Sequence, residues 1–308
     1  MTLGETRLGV GEFQWIEVGD GAPVVLLHGL LGTAEQWRAT LTVLAPRWRG
    51  LALALPIFDL PADDLSIGRL ALHALEFLDA ERIGPAVLVG TSLGGHVALE
   101  LALRDPARVR ALVLTGSGGL LERTLTQRVP HRPGAAFVRA TMEEIFYDAR
   151  LVTPEWVDSV SAVIGRRSYA LRLLQISRSA RGHNVDDRLR EIRCPTLLVW
   201  GKEDRITPPE VALRFLAGIR RSEVRFIPSC GHAVLLEQPE AFGDHLTEFL
   251  EALPALAPPV ACRVAGSPGR SVGSSGHGDA ILLSTPAGLW NYLVGDTVRV
   301  VSLDPLRS

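Results

Sequence analysis

The plan of this chain is set at Ala86-Val87-Leu88-Val89-Gly90-Thr91-Ser92-Leu93-Gly94-Gly95-His96-Val97-Ala98-Leu99, where an apolar run gives way within a few positions to a helical pattern. Four apolar residues in succession predict a strand covered on both faces, as in a parallel sheet packed between helices. The helical pattern runs over residues 96–104. Between the two lies Gly90-Thr91-Ser92-Leu93-Gly94, a G-x-S-x-G placed directly after a strand and directly before a helix. A strand-to-helix turn this tight forces its central residue into strained backbone geometry. Side chains at positions 90 and 94 would collide with the crossing helix and strand. The strain points the Ser92 hydroxyl out from the C-terminal edge of the sheet at a helix N-terminus, where free N–H groups and the helix dipole favour negative charge. The bland alternative is a glycine-rich turn with an incidental serine, since both residues are common in turns. The strand before it and the helix after it set that alternative aside.

Four more apolar runs flank this one: Val24-Val25-Leu26-Leu27 before His28-Gly29, Ala111-Leu112-Val113-Leu114 near Gly116, Thr196-Leu197-Leu198-Val199-Trp200 before Gly201, and Val224-Arg225-Phe226-Ile227 before Pro228. Each is expected to be buried on both faces. Helical stretches such as residues 209–216 fall between them, and this alternation predicts an α/β chain with a mostly parallel, doubly wound sheet. The alternation lapses over about residues 118–187, where helical patterns at 137–146, 154–164 and 169–179 follow one another without a strand. This insertion is expected to form a small helical cap. It leaves from a strand C-terminus, the end at which open sheets bind ligands, so it is expected to act as a substrate-selecting lid. The first domain is expected to cover residues 1–252. Residues 253–279 are rich in Pro, Gly and Ser without a period and read as a flexible linker. Residues 280–308 become apolar and β-like again, at Ile281-Leu282-Leu283 and Val298-Arg299-Val300-Val301, and are expected to be a C-terminal fragment without a domain of its own.

Length and composition agree with this plan. The 308 residues allow two domains or one large α/β domain with an insertion. At 47% hydrophobic and 21% charged residues the chain can bury a real core, which excludes wholesale disorder. Its 32 Lys and Arg against 34 Asp and Glu leave a formal charge of −2, without the basic excess of a nucleic-acid binder. No uncharged apolar run reaches the ~18 residues of an ordinary transmembrane helix. The N-terminal MTLGETRLGVGEF lacks the basic start and apolar stretch of a signal peptide. The expected compartment is the cytoplasm. Cys194, Cys230 and Cys262 are odd in number and contain no C-x-x-C, which supports neither a zinc site nor a disulfide framework. No cofactor or metal is expected, and nothing in the sequence specifies an oligomeric state.

A serine hydroxyl attacks well only when a base takes its proton. His232, in Ser229-Cys230-Gly231-His232, is the candidate base, since it follows the last apolar run of the sheet with a glycine before it. The imidazole needs a carboxylate to orient it and stabilise its cation. Asp204, in Trp200-Gly201-Lys202-Glu203-Asp204-Arg205, follows another strand in the same way, with Glu203 as its rival. Asp204 is preferred because it reaches further past the strand end before Pro208 turns the chain. Charge developing on a carbonyl oxygen needs waiting N–H donors. The backbone N–H of Leu93 is one candidate and that of Leu30, in His28-Gly29-Leu30-Leu31-Gly32, the other, since Gly29 lets the backbone approach closely. His28 is read as a structural hydrogen-bonding residue, and His96, one helical turn after Ser92, is given no role.

Together, His28-Gly29, Gly90 to Gly94, Asp204 and Cys230-Gly231-His232 resemble the α/β-hydrolase superfamily over about residues 13–252. The resemblance implies the α/β-hydrolase fold, a Ser-His-Asp triad and a cap in the usual place. The chain is most similar to small bacterial esterases and to the carbon–carbon bond hydrolases of aromatic ring-fission products. The loop from His28 to Gly32 followed by Trp37 also resembles the menaquinone-pathway succinyl-cyclohexadiene-carboxylate synthases. Two departures count against the ring-fission enzymes. They carry G-P-G in the loop where this chain has Leu30-Leu31-Gly32-Thr33, and Trp after the catalytic His where it has Ala233. In the tail, Thr285-Pro286-Ala287-Gly288-Leu289-Trp290 and Val294-Gly295-Asp296-Thr297-Val298-Arg299 resemble a stretch of the auxin-responsive acyl-amido synthetases. So short a piece cannot build an adenylating core, so no ATP chemistry is expected.

Three readings follow. The first is a serine hydrolase that forms an acyl-enzyme at Ser92 from a small carboxylic ester. The second keeps the triad and cleaves a carbon–carbon bond of a 2-hydroxy-6-oxo-dienoate. That substrate calls for a cation to hold its carboxylate, for which Arg139, Arg166, Arg167, Arg172 and Arg178 are available. The third is a ligand-binding protein with a triad too slow to matter.

Overall fold

The computed structural model describes residues 7–8, 13–120, 135–254, 281–285 and 288–292. Its main sheet has eight strands: β1 (Arg7–Leu8), β2 (Trp15–Val18), β3 (Ala22–Leu27), β4 (Trp48–Leu53), β5 (Ala86–Thr91), β6 (Val109–Thr115), β7 (Thr196–Gly201) and β8 (Ser222–Ile227). Their order across the sheet is β1-β2-β4-β3-β5-β6-β7-β8. From β4 to β8 every neighbouring pair is parallel, and β1 and β2 join at one edge as antiparallel strands. The helices are α1 (Arg38–Leu44), α2 (Ile67–Ala80), α3 (Leu93–Arg104), α4 (Ala135–Ile145), α5 (Pro154–Ile164), α6 (Arg167–Gly182), α7 (Pro209–Gly218), α8 (Val234–Glu237) and α9 (Pro239–Ala252).

Alternating side chains of each central strand go to opposite layers. Val25, Leu27, Leu88, Leu112, Leu114 and Leu198 pack with α2, α3 and α7 through residues such as Phe77, Val97 and Phe215. Val24, Leu26, Val87, Val89 and Val113 pack with α1 and α9 through Leu41, Phe242 and Leu246. Burial on both faces is what makes these strands read as unbroken apolar runs. β8 departs from the expectation. It is an edge strand, and only Ile227 in it is fully buried. An edge strand packs less completely, and that is why Arg225 is tolerated in its middle.

The helical insertion lies between β6 and β7 and contributes α4, α5 and α6. Val138, Met142, Phe146, Val152, Val157 and Val160 form a separate apolar cluster that closes on Ala233, the neighbour of His232. The return of the chain is tied down at α6, where the Arg172 guanidinium donates to the Leu60 carbonyl and Ser179 accepts from the Ile67 N–H. The chain divides into two compact units, Met1–Leu253 and Pro254–Ser308. Within the second, Ile281–Thr285 (β9) and Gly288–Tyr292 (β10) pair as an antiparallel hairpin. Of the expected linker at residues 253–279, all but the first two residues lie outside the described residues, as does the run at 298–301.

Candidate active site

The strand order reverses direction between β3 and β5. Loops leaving those two neighbours turn to opposite sides and open a crevice beyond their C-termini, which is the ligand-binding position of open α/β sheets. Leu27 pairs with Gly90 in the parallel register. The segment His28 to Gly32 and the turn at Ser92 therefore emerge side by side. The ends of β7 and β8, with Gly201 opposite Ile227, bring Asp204 and His232 to the same rim.

Ser92 has φ 52° and ψ −116°, a conformation that costs a non-glycine residue energy and persists only where the surroundings enforce it. They do so through backbone bonds: its N–H donates to Thr115, and its carbonyl accepts from His96 and Gly118. The flanking glycines are steric requirements. A Cβ at position 90 would lie 2.5 Å from the Gly94 carbonyl oxygen, and one at 94 would lie 2.1 Å from that of Leu27. Ser92 stands at the start of α3, so the N–H of Leu93 belongs to the first turn, whose N–H groups have no acceptor within the helix.

Asp204 and His232 meet. Asp204 Oδ2 is 2.9 Å from His232 Nδ1, with the two residues 3% and 7% exposed. Asp204 Oδ1 accepts from the N–H groups of Ile206 (2.8 Å) and Thr207 (2.9 Å), and Oδ2 also accepts from the Thr207 hydroxyl at 2.9 Å. These bonds fix the carboxylate so that the imidazole Nδ1–H has an acceptor, which leaves Nε2 as the basic nitrogen. Glu203 faces elsewhere: its Oε2 accepts from the Cys230 N–H at 3.0 Å. Ser92, His232, Leu30 and Leu93 all line one chamber of about 160 Å³, together with apolar residues of the insertion such as Met142, Phe146, Trp156 and Ile176.

His28 stands beneath the loop that carries Leu30. Its Nδ1–H donates to the Gly29 carbonyl at 2.8 Å, and its Nε2 accepts from the Leu55 N–H at 2.9 Å. Burial pushes its pKa down to about 4. At neutral pH it is an uncharged pin between two loops, with both ring nitrogens engaged. His96, pushed down to about 3 by burial and by the neighbouring His183, bonds His183 Nδ1 through Nε2 at 3.0 Å. Cys230 lies close to Asp204, and burial and the carboxylates of Glu237, Asp204 and Glu203 push its thiol up to about 12. The thiol is therefore protonated and a weak nucleophile at neutral pH.

Two contributors escape a reading of the sequence. Thr207 bridges Asp204 and His232, its hydroxyl lying 3.3 Å from His232 Nδ1. The one trace of it is a hydroxyl residue three positions after the carboxylate. Glu237 accepts from the Gly231 N–H at 2.8 Å and from the Tyr147 N–H at 2.7 Å, tying the His232 loop to the insertion. The His232 N–H itself donates to the Ile145 carbonyl at 2.8 Å. No local pattern announces a tie between residues ninety positions apart.

Comparison with known proteins bears on the same region. A family profile described as "Alpha/beta hydrolase family" matches residues 24–245. The uncharacterized hydrolase YugF of Bacillus subtilis is 27% identical over 247 residues, covering 74% of this chain and 89% of YugF. A 2-hydroxy-6-oxononadienedioate/2-hydroxy-6-oxononatrienedioate hydrolase of Paraburkholderia xenovorans is 31% identical over 267 residues, covering 79% of this chain and 92% of that protein. Among solved structures, an alpha/beta hydrolase enzyme from a sediment metagenome of the Mar Chica lagoon, Morocco, is 31% identical with a TM-score of 0.66. It covers 80% of this chain and 98% of that one. The meta-cleavage product hydrolase CumD of Pseudomonas fluorescens is 26% identical with a TM-score of 0.70, over 81% of this chain and 98% of its own.

Proposed function

This chain is an enzyme of the alpha/beta hydrolase family, and from that premise we propose that it is a serine hydrolase of small, uncharged carboxylic esters. The observation that carries the proposal is the pairing of His232 with Asp204 at 2.9 Å in the chamber that Ser92 also lines. In this reading His232 Nε2 takes the Ser92 proton as Oγ bonds to the ester carbonyl carbon, and Asp204 stabilises the imidazolium. The N–H groups of Leu93 and Leu30 receive the charge on the carbonyl oxygen. The carbon–oxygen bond to the alcohol breaks, and the alcohol leaves with the proton held on His232. Water then gives a proton to His232 and attacks the acyl-enzyme, returning Ser92 and releasing the acid. The insertion α4–α6 serves as the cap that walls the chamber and selects the substrate. The hairpin of the tail, read as a fragment similar to the acyl-amido synthetases, takes no part.

An uncharged substrate suits the walls, which are built from Leu, Ile, Met, Phe and Trp side chains. Two of the arginines available for a substrate carboxylate are directed elsewhere: Arg139 donates to the Val152 carbonyl, and Arg172 to those of Leu60 and Ser168. The second reading, carbon–carbon bond cleavage of a dienoate, is favoured by the names of the relatives, of which the Paraburkholderia hydrolase is an example. Steady-state turnover of a panel of simple esters beside a vinylogous diketo acid decides between them. The proposal expects kcat/KM for the better esters to exceed that for the diketo acid. The reverse order establishes the second reading, and folded protein inert to both favours a binding role.

A further inference from the structure

A second cavity, of about 620 Å³, adjoins the chamber of about 160 Å³ at Ser92. Gln36, Phe146, Trp156 and Val160 line both, so the two spaces meet at this wall. The larger one extends along Ala54, Leu55, Ile57 and Phe58, which follow β4, and along Leu151 and Ser159 of the insertion. Its surface is chiefly apolar, and the imidazole of His28 within it is neutral with both nitrogens engaged. Its volume is that of a small-molecule site, about 300–1,000 Å³. The smaller chamber is comparable with a cavity of about 150 Å³, which just encloses a benzene ring.

The chemistry assigns one end of the substrate to each space. In the acylation step the Ser92 Oγ–carbonyl carbon bond forms, the carbon–oxygen bond to the alcohol breaks, and the alcohol oxygen collects the proton from His232. The alcohol must therefore lie beside the imidazole. His232 and Ser92 line the small chamber alone, whereas Leu31 and Gly32 line both spaces and lead from one to the other. The acyl chain is the part free to extend past Leu31 and Gly32. Resting on the ester reading above, we infer that the larger cavity is the acyl-chain site. Among small esters it favours an uncharged, apolar acyl group larger than acetyl, aromatic or branched, while the small chamber admits a compact alcohol. Trp156, Val160 and Gln36 form the neck between them.

The test uses the full chain and two ester series followed by proton release. One varies the acid from acetate through benzoate to naphthoate as methyl esters. The other varies the alcohol from methyl to naphthylmethyl as acetates. A well-filled apolar pocket discriminates by about 10–200-fold per methylene-sized difference. Accordingly kcat/KM rises at least about tenfold from methyl acetate to methyl naphthoate and falls as the alcohol grows. Ser159→Phe, at an exposed position of α5, and Ala54→Phe, in the segment that follows β4, each put a ring on the lining of the large cavity. Each lowers the naphthoate-to-acetate ratio of kcat/KM at least about tenfold. Preference for bulky alcohols and short acids overturns the inference while leaving the ester reading intact, as does an unchanged ratio in folded variants. Absence of turnover across both series overturns the ester reading and this inference with it.

Discussion

In the proposed mechanism Ser92 and His232 act as one unit, so loss of either group leaves the other without a partner. Ser92→Ala and His232→Ala are each expected to cost on the order of 10⁶ in kcat, and the double variant scarcely more, measured on whichever ester is turned over best. Asp204→Asn is expected to cost on the order of 10⁴, because the amide stabilises the wrong imidazole tautomer. Glu203→Gln, which alters a bond to the Cys230 backbone, should leave most activity in place, and the opposite ranking of these two variants would transfer the acid role to Glu203. His28 gives a stability prediction. Its folded pKa, about 4, lies below its ordinary 6.5, so between those values the unfolded chain binds more protons. Stability is therefore complete above about pH 6.5, declines as pH falls toward 4, and flattens below. At 1.36 kcal/mol per pH unit the group's contribution is on the order of 3 kcal/mol. Protonation would set an Nε2–H against the Leu55 N–H, which is the physical cause of the loss. Urea midpoints between pH 7 and 4 should track this decline, and His28→Gln should flatten part of it. His96, shifted the same way, contributes with the same sign.

At the scale of elements, the turn from β5 to α3 is the most constrained piece of the molecule. A methyl at Gly94 meets the Leu27 carbonyl oxygen, and backbone on both sides has no room to give. Gly94→Ala is expected to destabilise by on the order of 3 kcal/mol, read as a lower melting temperature. An unchanged melting temperature would mean that β3 and α3 can part. This constraint is why the turn was legible in sequence: steric necessity leaves glycines at fixed spacing. Strands β3, β5, β6 and β7 were legible because burial on both faces writes an unbroken apolar run. Strands β2 and β4 were not, since Trp15-Ile16-Glu17-Val18 and Trp48-Arg49-Gly50-Leu51-Ala52-Leu53 mix polar residues into the run. Glu17 and Arg49 pair with each other across them at 2.8 Å. Helix α9 is hidden for a similar reason: its buried Phe242, Leu246, Phe249 and Leu250 are interleaved with acidic residues. The Asp204–His232 pairing could be anticipated because each residue follows a strand. The ties made by Thr207 and Glu237 depend on how loops pack, which spacing along one chain does not record.

Across the whole molecule, the proposed machinery draws on β3, β5, β7, β8 and the insertion, all within the first compact unit. Residues 254–308 supply no group of the proposed mechanism, so removing them is expected to leave kcat/KM essentially unchanged. A loss of tenfold or more would give the tail a part in catalysis. The proposed mechanism turns on acylation of Ser92. It is tested most directly by treating the folded chain with a fluorophosphonate and mapping the adduct by peptide mass spectrometry. One stoichiometric phosphonyl group is expected on Ser92, abolished in Ser92→Ala and slowed by orders of magnitude in His232→Ala. An unlabelled Ser92 in folded protein, or a label that persists after Ser92→Ala, would contradict it.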